Sequence, residues 1–232
     1  LETLPAARFT WFARGAQDRA LLTLRDRGHV IGLPIINGAE DQHMHNPYFP
    51  IPFAGGMLQG SADASFPQLT PRFALADGSV LMPLAWFRDV TWQRRGDRTI
   101  VGWRQDAMDR MGGNAPAPDK RIAVSTRYEF APGRITRTDV YRAAAPVDLS
   151  EVALEFASFS GDPRSAGPGA VRFGAGEVTG FSATGYDGCT VGPATGKEYR
   201  APTGAFASLV RCTLAGRRLA APLTLTWSLS YK

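Results

Sequence analysis

The sequence predicts an all-β protein, a large antiparallel β-sandwich of stacked broad sheets, and three observations carry that prediction. Apolar residues recur at every second position in several runs, helical spacing is nearly absent, and short glycine-bearing turns join successive runs. In chain order, residues 8–14, 19–25 and 29–36 read as the first strands. Asp77-Gly78 then joins a strand at 72–76 to one at 79–82, and Gly96-Asp97 joins 85–95 to 98–106. Ile122, Val124, Thr126, Tyr128 and Phe130 share one face, opposed by Arg121, Ala123, Ser125, Arg127 and Glu129. Pro132-Gly133 turns this run into 134–142, which makes the pair a hairpin. Strands at 152–160, 170–174, 177–184 and 206–214 follow. The chain closes on the clearest alternation of all, Leu223, Leu225, Trp227, Leu229 and Tyr231 against Thr224, Thr226, Ser228 and Ser230.

Three stretches lack this patterning, at 37–69, 106–119 and 161–169. Loops of that length in a compact domain are usually functional or mobile, and Met108 to Pro116 reads as a flap or a plain loop. No internal repeat or domain boundary interrupts the pattern, so residues 1–232 are expected to form a single β-sandwich domain.

At 232 residues with 44% apolar content the chain can bury an ordinary core. No apolar run reaches the roughly 18 to 20 residues of a membrane span, so no membrane partner is expected. Leu1 in place of an initiator Met, with no signal-peptide core behind it, predicts a processed chain or part of something longer. The formal charge is +5, and only three of the 26 basic residues are lysines. Guanidinium forks pair with carboxylates and phosphates, which makes an anionic polymer a reasonable partner. Without a Lys/Arg block or a nucleic-acid-binding signature, no nucleic acid is expected. Cys189 and Cys212 both lie in apparent strands, where they are either bridged across neighbouring strands, implying export, or two buried thiols.

The chemistry concentrates in Asp41-Gln42-His43-Met44-His45-Asn46-Pro47-Tyr48, which holds two of the three histidines. In an extended segment Asp41, His43 and His45 point to one side. They form a candidate set for one divalent metal, Zn or Ca, with His29, Asp106, Asp109 or Glu129 as further ligands. The same residues suit β-elimination from a uronic acid. Asn46 or an arginine would neutralise the sugar carboxylate, His43 or His45 would take the C5 proton, and Tyr48 would act as base or protonate the departing oxygen. A polar loop whose histidines bond to backbone is the plainer alternative. The arginines Arg127, Arg134, Arg137 and Arg142 share the central hairpin with Glu129 and Asp139, as a basic glycan-binding surface or as ordinary cross-strand ion pairs. Trp86, Trp92 and Trp103 suggest a sugar-stacking platform or, more simply, core packing, since Trp86 and Trp92 are six apart and so share a face of one strand. No G-x-S-x-G elbow, P-loop, G-x-G-x-x-G element or H-E-x-x-H motif is present, which sets aside serine-hydrolase, nucleotide-dependent and zincin chemistry.

With its broad strands, its aromatic and arginine content and its closing Leu-Thr-Leu-Thr-Trp-Ser-Leu-Ser-Tyr strand, the chain resembles the C-terminal β-sandwich region of polysaccharide lyases built from an α/α-toroid and a stacked antiparallel sheet, the heparinase II/III-like and alginate lyase-like enzymes. The likeness is architectural. It implies a periplasmic or secreted bacterial protein that acts on an acidic polysaccharide, as a lyase or its C-terminal module, with an N-terminal toroid of the same enzyme as partner. The likeness transfers no residue roles; from residue type and spacing alone, the expected catalytic residues are His43, His45 and Tyr48, with Asn46, Arg127 and Arg134 binding substrate. A non-catalytic glycan-binding or scaffold sandwich, and a metal-dependent enzyme using Asp41, His43 and His45, are the alternatives.

Overall fold

The computed structural model describes residues 6–35, 58–59, 69–112, 117–158, 161–194, 200–201, 204–205 and 208–232. Their regular elements are all strands: β1 (Ala7–Ala13), β2 (Arg19–Asp26), β3 (His29–Ile35), β4 (Leu58–Gln59), β5 (Arg72–Leu75), β6 (Val80–Met82), β7 (Phe87–Arg95), β8 (Arg98–Gln105), β9 (Met108–Arg110), β10 (Pro118–Asp119), β11 (Ile122–Ala131), β12 (Arg134–Ala143), β13 (Val147–Ser158), β14 (Pro163–Gly167), β15 (Ala170–Phe173), β16 (Val178–Thr184), β17 (Gly188–Pro193), β18 (Arg200–Ala201), β19 (Gly204–Ala205), β20 (Ser208–Leu219) and β21 (Leu223–Tyr231). Every pairing among them is antiparallel, as the hairpin turns require.

Sheet A is the meander β1-β2-β3. Sheet B runs β10-β9-β6-β5-β13-β20-β17 with β4 beside β13, and sheet C runs β14-β15-β16-β21-β12-β11-β8-β7. Sheet C buries one face. Its inward residues pack with Leu22, Ile31 and Ile35 of sheet A and with Phe156 and Val210 of sheet B in one cluster, and with Phe73, Leu149 and Leu214 of sheet B in a second. Two aromatic pairs bridge sheets B and C, Phe73 with Tyr141 at 4.5 Å and Phe156 with Phe181 at 4.7 Å between ring centroids. Such pairs add about 0.5–1.5 kcal/mol each beyond the area they bury.

All three unpatterned stretches contain strands. Residues 37–69 hold β4, 106–119 hold β9 and β10, and 161–169 hold β14; these are two to five residues long, too short to display an alternation. Cys189 and Cys212 face each other in register on β17 and β20 and are disulfide-bonded. The bridge closes a loop of 23 residues, which stabilises by roughly 3 kcal/mol in the chain-entropy model.

The expectation that Trp86 and Trp92 share a face of one strand needs correcting. β7 carries a bulge between Arg88 and Thr91, with Asp89 at φ 52, and Asp18 holds it by accepting from the Val90 amide at 2.9 Å. The extra residue shifts the alternation, so Phe87 and Val90, three apart, both point inward. Trp86 precedes the strand, Trp103 is in the core, and Trp92 is 40% exposed and stacked on Phe9 at 5.3 Å. The three form no common platform.

The arginines of the central hairpin divide between its two faces. Ile135, Arg137, Asp139 and Tyr141 all point into the sandwich. Arg137 Nε lies 2.8 Å from Asp139 Oδ2, and Arg137 Nη1 donates to Thr70 Oγ1 at 3.0 Å and to the Tyr128 hydroxyl at 3.3 Å. Asp139 also accepts from Thr126 Oγ1 at 2.6 Å and from the Tyr141 hydroxyl at 3.1 Å. Burial pushes the Tyr128 phenol up to about 12 and the Tyr141 phenol well above its ordinary range, so both stay neutral near pH 7. Removing one member of a buried pair leaves the other charge uncompensated, at a cost of about 3–5 kcal/mol. Asp139→Asn is therefore expected to lower stability by that amount, read as a drop in urea midpoint, whereas Glu129→Gln on the exposed face of the same hairpin should stay within about 1 kcal/mol. Equal effects would contradict the assignment of faces.

Candidate functional site

The opposite face of sheet C is open to solvent and mostly polar. Between the inward positions of β21 lie Thr224, Thr226, Ser228 and Ser230, and between those of β12 lie Arg134, Thr136, Thr138, Val140 and Arg142. β11 adds Ser125, Arg127 and Glu129, and β8 adds Arg98 and Arg104. Register sets these side by side: Thr136 is opposite Ser228 and Glu129, and Thr138 is opposite Thr226 and Arg127. The hydroxyls link across strands, Thr136 Oγ1 to Ser228 Oγ at 2.8 Å and Thr226 Oγ1 to Thr138 Oγ1 at 3.2 Å. Among the described residues of this face there is no aromatic ring.

A shallow cleft of about 440 Å³ lies at one end of the face, lined by Arg98, Glu129, Gly133, Arg134, Thr136 and Ser230 among others. Glu129 is its one carboxylate, bound to Arg98 at 2.7 Å and to Arg127 at 2.9 Å. Arg134 makes no ion pair among the described residues. The Pro132-Gly133 turn closes the cleft. Gly133 has φ 68, and the Arg27 guanidinium occupies the space where a β-carbon would stand. Its amide donates to Asp26 Oδ2 at 2.7 Å, and the Tyr231 hydroxyl donates to the same oxygen at 2.6 Å. Burial, with Asp26 beside it, holds the Tyr231 phenol far above its usual range, so this staple persists across neutral pH.

Of the residues expected from sequence, Arg134 lines the cleft and Arg127 shares its face, connected through Glu129. Arg137 is a correction, buried with Asp139 rather than displayed. Asp41, His43, His45, Asn46 and Tyr48 lie outside the described residues. The remaining candidate ligands are spread apart. His29 is buried with Nε2 3.5 Å from Glu177 Oε2, Asp106 lies 3.8 Å from Arg88, and Glu129 serves the arginines. Among the described residues no group of three or more His, Cys, Asp or Glu is placed to hold a metal. Sequence reasoning missed Arg98, Thr136 and Ser230, although the alternation around the Gly96-Asp97 and Pro132-Gly133 turns would have placed them on one face.

Asp109 differs from the other acids. It is buried on β9 opposite Met82 of β6, next to an apolar cluster of Met82, Leu84 and Met111, and among the described residues neither carboxylate oxygen has a side-chain hydrogen-bond partner. Burial pushes its carboxyl up to about 7. A carboxyl whose folded pKa is raised stabilises most below its unfolded value, so stability should fall as pH rises from about 4 to about 7. A shift of this size costs on the order of 4 kcal/mol at alkaline pH. Asp109→Asn is expected to flatten that dependence and to raise the urea midpoint at pH 8 more than at pH 5; an unchanged profile would show that the carboxylate is solvated.

No protein-family model matches the sequence, and no curated protein sequence matches it. Among solved structures, the 4-α-glucanotransferase of Thermococcus litoralis is similar over the whole chain, with 8% identity and a TM-score of 0.52. The chain spans 40% of that enzyme's length. A Salmonella typhimurium protein assigned as a mutarotase aligns over 99% of this chain and 95% of its own, at 8% identity and a TM-score of 0.45, too loose to support an argument. The glucanotransferase likeness shows the fold alone. The class defined by fold and face together is a large antiparallel β-sandwich that exposes a hydroxyl- and arginine-lined sheet.

Proposed function

We propose that this chain is a carbohydrate-active β-sandwich that binds an acidic polysaccharide on the outer face of sheet C. The observation that carries the reading is the cleft, where Arg98 and Arg134 stand over a floor of Ser230 and Thr136 with one carboxylate between them. Guanidinium forks suit sugar carboxylates or sulfates, and serine and threonine hydroxyls donate to and accept from sugar hydroxyls equally well. Exposed ion pairs such as Arg98–Glu129 are worth little, so an incoming anion displaces Glu129 at small cost. A glucanotransferase contains the same fold, which is consistent with carbohydrate as the ligand class.

The finer reading is β-elimination by His43, His45 and Tyr48. A histidine takes the C5 proton, the C4–O bond breaks as the C4–C5 double bond forms, and Tyr48 protonates the departing oxygen. Asn46 and Arg127 would stabilise the charge that develops on the sugar carboxylate. This reading keeps the likeness to toroid-bearing lyases, and with it an N-terminal α/α-toroid as partner. The Cys189–Cys212 bridge supports a periplasmic or secreted location.

Binding to alginate, pectin and heparin should be measured by calorimetry for the parent and for the Arg127→Ala/Arg134→Ala variant. The expected outcome is binding that weakens with salt and falls roughly tenfold or more in the variant, the loss of one to two charge-assisted hydrogen bonds. Neutral glucan binding as tightly as alginate would overturn the proposal. In the same samples, ultraviolet absorbance of an unsaturated uronate separates a lyase from a binding module.

A further inference from the structure

The strands of sheet C place one residue each in a line that crosses the sheet at right angles to them. Arg164 of β14 is opposite Arg172 of β15, which is opposite Gly180 of β16; Gly180 is opposite Ser230 of β21, and Ser230 is opposite Arg134 of β12. Arg134 is opposite Ala131 of β11. The pairing of Thr99 with Phe130 places Arg98 of β8 next to Ala131, and Arg98 is opposite Arg95 of β7. Residues directly opposite in antiparallel strands share a face. This row therefore runs outward across all eight strands, with five arginines separated only by Gly180, Ser230 and Ala131. All five arginines are exposed.

From this row we infer that the acidic polysaccharide lies across the strands as an extended chain, along a track of five guanidinium groups that begins at the edge strand β7 and ends at the edge strand β14. The inference rests on the functional reading above and adds the ligand's direction and minimum length. Eight strands at a spacing of about 4.8 Å give a track of roughly 34 Å. One strand spacing is close to the length of one sugar in an extended chain, so full occupancy takes about seven sugars. Gly180, Ser230 and Ala131 keep the floor low between the arginines, and a β-carbon at Gly180 would meet nothing nearer than 3.7 Å.

The charges around the track favour a polyanion. Glu129 partly neutralises Arg98, and Asp162 partly neutralises Arg164 through contacts of 3.0 and 3.2 Å. Arg95 Nε donates to Gln93 at 3.1 Å, and Arg134 and Arg172 make no ion pair among the described residues. Single-stranded nucleic acid, the other linear polyanion, is ordinarily held by aromatic side chains stacked on its bases, and the described residues of this face carry none. A glycan needs only the charges and the hydroxyls.

The test uses size-fractionated oligouronates from alginate or pectin, titrated into the parent chain and into Arg172→Ala, Arg95→Ala and Gly180→Phe. Affinity is expected to rise steeply from the trimer to about the heptamer and then level off. Arg172→Ala and Arg95→Ala should each weaken the heptamer roughly five- to tenfold, while the trimer, confined to the cleft at Arg134, binds as before. Gly180→Phe blocks the track without removing charge and should lose the heptamer's advantage alone. Equal affinity for trimer and heptamer, with sensitivity to Arg134→Ala retained, would overturn the track and leave the functional reading standing. Failure of every oligouronate to bind would overturn both. A single-stranded oligonucleotide that binds as tightly as the heptamer would overturn the glycan as occupant.

Discussion

The sandwich is organised around a buried ion pair. Arg137 and Asp139 sit two apart on β12 at the middle of sheet C, on the same face as Ile135 and Tyr141, enclosed by Tyr128, Trp227 and Thr70. Desolvation alone disfavours the guanidinium charge. Asp139 at hydrogen-bond distance more than offsets that and holds Arg137 protonated. Both oxygens of Asp139 are engaged by donors from β11 and β12, and one guanidinium nitrogen reaches Thr70, in the segment leading into β5. The pair thus fixes which face of the central hairpin points inward. A slip of one residue would bury Thr136, Thr138 and Arg142 and expose Arg137, Asp139 and Tyr141.

That constraint also determines the outer face. Because β12 cannot slip, Arg134 is held opposite Ser230 and Ala131, and the cleft and the transverse row of arginines follow from the same register. The Pro132-Gly133 turn, pinned by Asp26 and by Tyr231 across the end of the sandwich, keeps the hairpin tip in place beside Arg134. One face of sheet C therefore supplies stability and the other carries the proposed recognition surface. The two are separated only by the alternation of the strand.

Most of the strands were legible in the sequence, because the alternation of Leu223 to Tyr231 and of Ile122 to Phe130 admits a single buried face. The short strands β4, β9, β10, β14, β18 and β19 were not, since two to five residues cannot establish a period. The pairing of Trp86 with Trp92 on one strand face was misread because a bulge is invisible to a rule that counts in twos; the contact between Asp18 and Val90 marks it. Arg137 could have been placed by parity with Ile135 and Tyr141. Its charge argued for the surface, and the partner that makes burial tolerable is recognisable only once register puts Thr126 opposite Asp139. The candidate site was half legible: Arg127 and Arg134 were named, but a row across eight strands becomes visible only after the order of the sheet is known. The chemistry assigned to His43, His45 and Tyr48 rests on residue type and spacing.

The most direct test of the central claim is residue-resolved NMR of the isotopically labelled chain as an alginate heptamer is added. The expected result is amide and arginine side-chain shifts confined to outward positions of sheet C, running through Arg95, Arg98, Arg134, Ser230, Gly180 and Arg172, while the inward neighbours Arg137 and Asp139 stay still. Shifts centred on sheet A or sheet B, with this face silent, would contradict the account.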